Sequence, residues 1–146
     1  MKIDDIIEQW QSDAKIDDVE LDTEALNVPL LHAKYLKMYA QEKVKLKKFK
    51  IDYKILRKVL AEYYRGELNN PEDLDELGRD PWPKAVLKQD IPNYIEGDDD
   101  MIKLVGKMVY QEEVVSLLED ILKSINNRGF QIKNAIDWRK LTNFGV

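Results

Sequence analysis

The stretch KVKLKKFKIDYKILRK, Lys43 to Lys58, carries two patterns at once. The first is apolar. From Leu46 onward, Phe49, Tyr53, Leu56, Leu60 and Tyr63 follow at steps of 3, 4, 3, 4 and 3, the spacing of a heptad seam. Val28, Tyr35 and Tyr39 share its phase upstream, with His32 and Glu42 filling the remaining places. No breaker follows Pro29 until Gly66. A helix from Thr23 to Tyr64 would be about 60 Å long at ~1.5 Å per residue, too long for a small domain unless it packs along another helix. This reading decides the fold class, which is all-α: long helices forming an elongated helical assembly.

The second pattern is charge. Eight of these sixteen residues are basic: Lys43, Lys45, Lys47, Lys48, Lys50, Lys54, Arg57 and Lys58, against a single acid, Asp52. Lys43, Lys47, Lys50, Lys54 and Arg57 each follow a seam position by one residue, which sets them roughly 100° around the helix. Lys45, Lys48 and Lys58 broaden this stripe. The chain as a whole is acidic, with 23 Lys+Arg against 28 Asp+Glu. Residues 1–33 carry net −7, residues 34–65 net +8, residues 66–104 net −7 and residues 105–146 net +1. A solvated helix face usually mixes its signs, so a segregated basic band needs a reason, and a polyanion is the default ligand. A basic ridge can track a phosphate chain and release its counterions, while Tyr53, Tyr63 or Tyr64 could stack on bases. The stripe holds no Asn or Gln to read base edges, so sequence-tolerant binding is expected.

Around this helix the chain is punctuated. IDDIIEQW spaces Ile3, Ile6, Ile7 and Trp10 as a short amphipathic helix, and SDAKIDDVELD reads as a connector. Asp22 or Thr23 can cap the long helix, and Pro29 predicts a late start or a kink. GELNNPEDLDELGRDPWP reads as a solvated linker with one helical turn in PEDLDEL. KAVLKQDIPNYIEGD reads as extended, open to a small β-hairpin over residues 84–96 between the two helical parts. A second long helix starts at Asp98 to Asp100 and is expected to end at Asn127 or Gly129, with FQIKNAIDWRKL as a short terminal helix. Met101, Val105, Met108, Val109, Val115, Leu118, Ile121, Leu122 and Ile125 place apolar side chains over more than one stripe of that helix. Phe130, Ile132, Ile136 and Trp138 add to them, and together they mark a surface for oligomerisation. The division expected is residues 1–80, which bind, and residues 81–146, which assemble.

No chemistry of an enzyme is visible. The sequence lacks a Gly-rich phosphate loop, a nucleophile elbow and a paired-His zinc motif. It has one histidine and no cysteine, so His32 has no partners for a catalytic or metal cluster. Asp98, Asp99 and Asp100 lack the alternating spacing of a calcium loop, and capping explains them better. No cofactor is expected. No apolar run approaches the ~18 residues of a membrane span, and MKIDDIIEQW lacks the apolar core of a signal peptide, so a soluble intracellular protein is expected.

Four pieces resemble a known family. LHAKYL (31–36), LRKVLAEYYRG (56–66), VLK (86–88) and NRGFQIKNAIDWRKLTNFG (127–145) stand in the order found in UvsY, the phage recombination mediators. The resemblance implies a non-enzymatic protein of the infected host's cytoplasm that binds single-stranded DNA. It also implies contacts with the phage recombinase and the phage single-strand-binding protein, loading of the recombinase onto strands which that protein covers, and a homo-oligomeric ring of six or seven subunits. The family's DNA-binding pattern, Leu-Lys-Ala-Arg-Leu before Tyr-Tyr-x-Gly, is matched by Lys58 but departs at Leu60, which occupies the Arg position; Arg57 stands at the neighbouring turn position. The alternative is a coiled-coil assembly protein whose lysines only keep it in solution.

Overall fold

The computed structural model describes residues 1–144, which form five α-helices. These are α1 (Ile3–Asp13), α2 (Leu21–Tyr64), α3 (Pro71–Leu77), α4 (Ile91–Glu96) and α5 (Asp99–Phe144), with one 3-10 turn at Lys88–Asp90 before α4. Among the described residues there is no strand. The chain divides into two compact units: Met1–Lys45 together with the chain from Gln111 onward, and Leu46–Tyr110. Both long helices therefore contribute to both units. These packing units do not follow the expected division at residue 80; that division concerns roles and is taken up below.

Unit 1 is built on helices from opposite ends of the chain. Its core is Ile6 of α1, Tyr35 and Met38 of α2, and Val114, Leu118, Ile121 and Ile125 of α5. The α5 residues recur at steps of four, three and four, which keeps them on one helical face. Trp10 meets Tyr35 edge to face, with ring centroids 5.5 Å apart. Polar clamps close the unit. Arg128, buried, donates to the carbonyl oxygens of Ala14 and Lys15 at 2.9 Å each and to Glu24 at 3.0 Å. It thus supplies donors to carbonyls at the end of α1 that have no intrahelical partner. Gln111 donates through Nε2 to the backbone oxygen of Glu42 at 2.9 Å and to its carboxylate at 2.6 Å.

Unit 2 is contiguous in sequence. Its core gathers Leu60, Tyr63 and Tyr64 of α2, Leu74 of α3, Ile91 and Ile95 of α4, and Met101 of α5. Helix α2 ends at Gly66, whose φ of 76° is left-handed. There Glu67 N donates to Glu62 O at 3.0 Å and Gly66 N to Tyr63 O at 3.0 Å, the paired bonds of a Schellman ending. Helix α3 is capped by the Asn70 side chain and stopped the same way at Gly78.

Three expectations are corrected. Residues 84–96 form no hairpin: Pro92 sits in the first turn of α4, where its missing N–H costs nothing. Ile91 and Ile95, four residues apart and so one above the other on the helix, are both buried. Helix α5 does not end at Asn127 or Gly129 but runs on to Phe144. An internal glycine costs only about 1 kcal/mol, and Arg128 and Ile132, buried on either side, hold the turn closed. Helix α2 does not start late at Pro29 but begins at Leu21, and Val28 and Leu31 near the proline pack on the unit 1 core.

Candidate nucleic-acid interface

The seam and the basic stripe separate cleanly on α2. Glu42, Leu46, Leu60 and Tyr63 are buried, and Phe49, Tyr53 and Leu56 are half-buried. Lys43, Lys45, Lys47, Lys48, Lys50, Lys54, Arg57 and Lys58 are all exposed. Lys43 and Lys45 lie in the unit 1 stretch of the helix, and the other six lie in the unit 2 stretch. A heptad seam buries one side of a helix and leaves residues a third of a turn away in water, which is where these side chains stand.

Their electrostatic commitments differ. Lys45 pairs with the buried Glu42 carboxylate at 3.3 Å. Lys43 Nζ lies 5.4 Å from the ring centroid of Tyr39. Arg57 donates to the Tyr53 hydroxyl at 3.3 Å. Lys47, Lys48, Lys50, Lys54 and Lys58 make no ion pair or hydrogen bond among the described residues, so their charge is available to a ligand. Burial pushes the Glu42 carboxyl up, but hydrogen bonds from Gln111 and Lys45 outweigh it and hold the group below the usual carboxylate range. Glu42 is therefore an anion at neutral pH whose charge is spent inside unit 1, and of the stripe it engages Lys45 alone.

Tyr63 and Tyr64, expected as stacking platforms, face the other way. Both are buried, with rings edge to face at 5.2 Å. The Tyr63 hydroxyl donates to Asp80 O at 2.7 Å, and the Tyr64 hydroxyl donates to Asp98 Oδ2 at 2.6 Å. Seam phase explains this for Tyr63. Tyr53 is half-buried, its hydroxyl engaged by Arg57. The stripe as folded is cationic and carries no free aromatic face from these three residues.

Asp98 is the centre of unit 2. Arg79 grips it with two bonds, Nη1 to Oδ2 at 2.6 Å and Nη2 to Oδ1 at 2.7 Å, and reaches Asp100 at 2.7 Å. Asp98 Oδ1 also accepts from the backbone N–H groups of Asp100 at 3.0 Å and Met101 at 3.3 Å, so it caps α5 as expected of that run. Burial raises the Asp98 pKa, but the hydrogen bonds from Arg79 and Tyr64 and the Arg79 charge prevail and hold it below the usual range. The Tyr64 phenol is pushed up to about 12 by burial and by its bond to Asp98. Sequence reading missed Arg79. Its signal was a lone arginine amid eleven acids of residues 66–104, but no spacing rule pairs positions 19 apart.

The oligomerisation residues divide. Leu118, Ile121 and Ile125 belong to the core of unit 1 and Met101 to that of unit 2, and Val115 and Ile132 are also buried. Within one chain these six already have cover. Met108, Leu122 and Ile136 are half-buried, while Val105, Val109, Phe130 and Trp138 are exposed. Among the described residues no group of three His, Cys, Asp or Glu side chains could hold a metal ion. Among them also, no helix is long and apolar enough to cross a membrane.

Known proteins share this all-helical fold. Residues 9–145 match the model of the family described as "Recombination, repair and ssDNA binding protein UvsY". The recombination protein UvsY of Enterobacteria phage T4 is 27% identical over 139 residues, spanning 95% of this chain and 96% of that protein. Two crystal structures of the bacteriophage T4 recombination mediator protein UvsY share the fold. One, in lattice type IV, has a TM-score of 0.85 at 23% identity, covering 97% of this chain and 99% of that one. The other, in lattice type II, has a TM-score of 0.85 at 24% identity, covering 98% of each chain.

Proposed function

This chain belongs to the UvsY family, and from that premise we propose that it is a recombination mediator that holds single-stranded DNA along the exposed basic face of α2. One observation carries the reading: eight basic side chains stand exposed beside a buried seam, and five of them have no partner among the described residues. Lysines on a helix contact phosphates as point charges, so the binding is electrostatic and tolerant of sequence. The Tyr63 and Tyr64 rings serve the site by anchoring the end of α2 and not by stacking. Lys58 is the family-pattern position within this face, and Arg57 beside it supplies the second charge in place of the pattern's Arg, where Leu60 stands. Bound strands are handed to the phage recombinase in place of the phage single-strand-binding protein, in the cytoplasm of the infected cell. The role is one of binding and assembly, without a catalytic step or cofactor.

Assembly follows from the apolar surface left on α5. Val105 and Val109 in unit 2, and Phe130 and Trp138 in unit 1, are side chains that water disfavours, and burial of such side chains between copies favours a homo-oligomer. A repeated heterologous contact whose rotation closes makes a ring, here of six or seven subunits. A ring multiplies the DNA contacts of each subunit by effective concentration. In this reading, residues 1–80 supply the DNA face and residues 81–146 supply assembly.

The test is a titration with oligothymidylate at two salt concentrations, with particle mass measured alongside. If four lysines per subunit reach phosphates, log K falls against log salt with a slope of about −3 per site. An affinity independent of salt would leave only the alternative, a coiled-coil assembly protein kept in solution by its lysines.

A further inference from the structure

Unit 2 contains an open cleft of about 260 Å³ lined by Tyr64, Asn93, Tyr94 and Gly97. The basic face of α2 does not use it. Its walls are aromatic. The Tyr64 and Tyr94 rings lie 5.5 Å apart, inclined at 42°. Trp82 stands edge-on to Tyr64 at 4.7 Å and to Tyr94 at 5.6 Å. Tyr94 is 37% exposed, so part of its ring meets solvent. Gly97 at the end of α4 forms the remaining wall without a side chain. The Tyr64 hydroxyl is held by Asp98, so this residue offers the cleft its ring and not its O–H. The Trp82 indole N–H is enclosed without an acceptor among the described residues.

Charge selects the ligand. Glu96 precedes Gly97 in the chain and Asp98 to Asp100 follow it; Arg79 takes up Asp98 and Asp100, which leaves Glu96 and Asp99 as the unspent carboxylates of a stretch, residues 66–104, that carries net −7. Glu96 and Asp99 are exposed and make no ion pair among the described residues. A nucleotide would bring phosphate into this field and be repelled. A neutral apolar side chain would meet the rings but gain nothing from the carboxylates. A cation gains from both, because ring faces and carboxylates attract it alike. The unit already uses this chemistry internally: Arg79 lies 5.0 Å from the Tyr63 ring centroid, and Lys84 Nζ lies 5.8 Å from that of Trp82. Between the two biological cations, guanidinium fits better. It is planar, weakly hydrated and stacks on aromatic faces, and its N–H groups can donate to the Asn93 amide oxygen.

We propose that the Tyr64–Asn93–Tyr94–Gly97 cleft is a docking site for an arginine side chain presented by a basic segment of a protein partner. The same molecule then recognises a polyanion on one surface and a basic polypeptide on another. The cleft does not depend on the DNA reading, since none of the eight residues of the basic stripe lines it.

The probe is the pentapeptide acetyl-Gly-Ser-Arg-Ser-Gly-amide, titrated to millimolar concentration into the full chain while the amide resonances of Asn93 to Gly97 are followed by NMR. A peptide with citrulline in place of arginine keeps the shape and removes the charge. Saturable shifts are expected with the arginine peptide and not with the citrulline peptide. Tyr94→Leu should weaken binding about three- to fivefold, while Tyr94→Phe, which keeps the ring, should retain it. Equal shifts with both peptides, or no shift at these residues, overturn the proposal. Should Tyr94→Leu disturb the fold, the comparison of the two peptides on the native chain still decides. Tyr94→Leu should leave oligothymidylate affinity unchanged; a loss there would reassign the cleft to a nucleobase and overturn the arginine reading. Failure of the native chain to bind oligothymidylate would count against the DNA face and leave the cleft result standing.

Discussion

The two units reach stability by different routes. Unit 1 joins residues 1–45 to the chain from Gln111 onward, so its contacts close a long loop, and its core is largely aliphatic. Unit 2 is one continuous stretch, Leu46–Tyr110, whose core mixes aliphatic residues with Tyr63 and Tyr64 and is fastened by the Arg79–Asp98–Tyr64 network. Unit 1 relies on helix faces that repeat every three or four residues. Unit 2 has short helices and turns, with too little repeated face to do the same, and it uses a charged clasp at the start of α5. The lesson is that the basic stripe needs firm support where its supporting helix ends, and the clasp supplies it there. Six of the eight basic residues lie in the unit 2 stretch.

The comparison is broken most directly at Asp98. Asp98→Ala leaves the half-buried Arg79 with only the exposed Asp100, takes the acceptor from the Tyr64 hydroxyl and removes the α5 cap, and stability should fall by about 3–5 kcal/mol. Hydrogen exchange should show the loss in Leu46–Tyr110 first; equal loss of protection in both units would mean that they unfold as one. Leu118→Ala makes the matching cut in unit 1. It removes a fully buried side chain, with an expected cost of about 2–5 kcal/mol read from a urea melt, and the first exchange should appear in α1.

Titration sharpens the contrast with less force. The folded Tyr64 pKa, about 12, lies above the ordinary value of 10.0. Its contribution is therefore complete below pH 10 and is lost as pH rises toward 12, on the order of 2 kcal/mol. Asp98 and Glu42 are shifted the opposite way, from ordinary values of 3.8 and 4.5. What they contribute is present above those values and disappears as pH falls through their lower folded pKa values. Circular dichroism melts from pH 2 to 12 should thus show losses at both ends. A melting midpoint flat from pH 9 to 12 would show that the Tyr64–Asp98 bond contributes nothing.

The smallest effect on folding should come from the stripe. Lys54→Ala, Arg57→Ala and Lys58→Ala together should leave the melting midpoint nearly unchanged, because exposed substitutions rarely matter to stability. The salt slope of DNA binding should become shallower by about 2 per site. An unaltered slope would move the contact to Lys43, Lys45 and Lys47.

Much of α2 was legible because one helix repeats its environment every 3.5 residues. Leu46, Leu60 and Tyr63 lie buried where the seam put them, and the eight basic residues lie exposed where the stripe put them. Even Glu42, a polar residue in an apolar phase, is buried as its position required. Periodicity failed where the repeat is short or broken. Residues 84–96 are too short to show a helical repeat, and Pro92 within them is an ordinary starter in the first turn of a helix. Gly129 was read as an end because its sequence neighbours say nothing about Arg128 reaching Ala14, Lys15 and Glu24 more than a hundred positions away.

By itself the sequence determined the all-α class, the long seam on α2 and the face on which positive charge accumulates. These follow from local spacing, and local spacing survives any arrangement of the rest. Only the tertiary structure decided which apolar residues of α5 are core and which remain exposed, since one stripe's cover depends on which other segment lies against it. Only it showed Tyr63 and Tyr64 buried, with their hydroxyls held by Asp80 and Asp98. It also joined Arg79 to Asp98 and Gln111 to Glu42, because a buried charge or amide is stable only beside a partner, and that partner is fixed by how the chain folds back and not by distance along it.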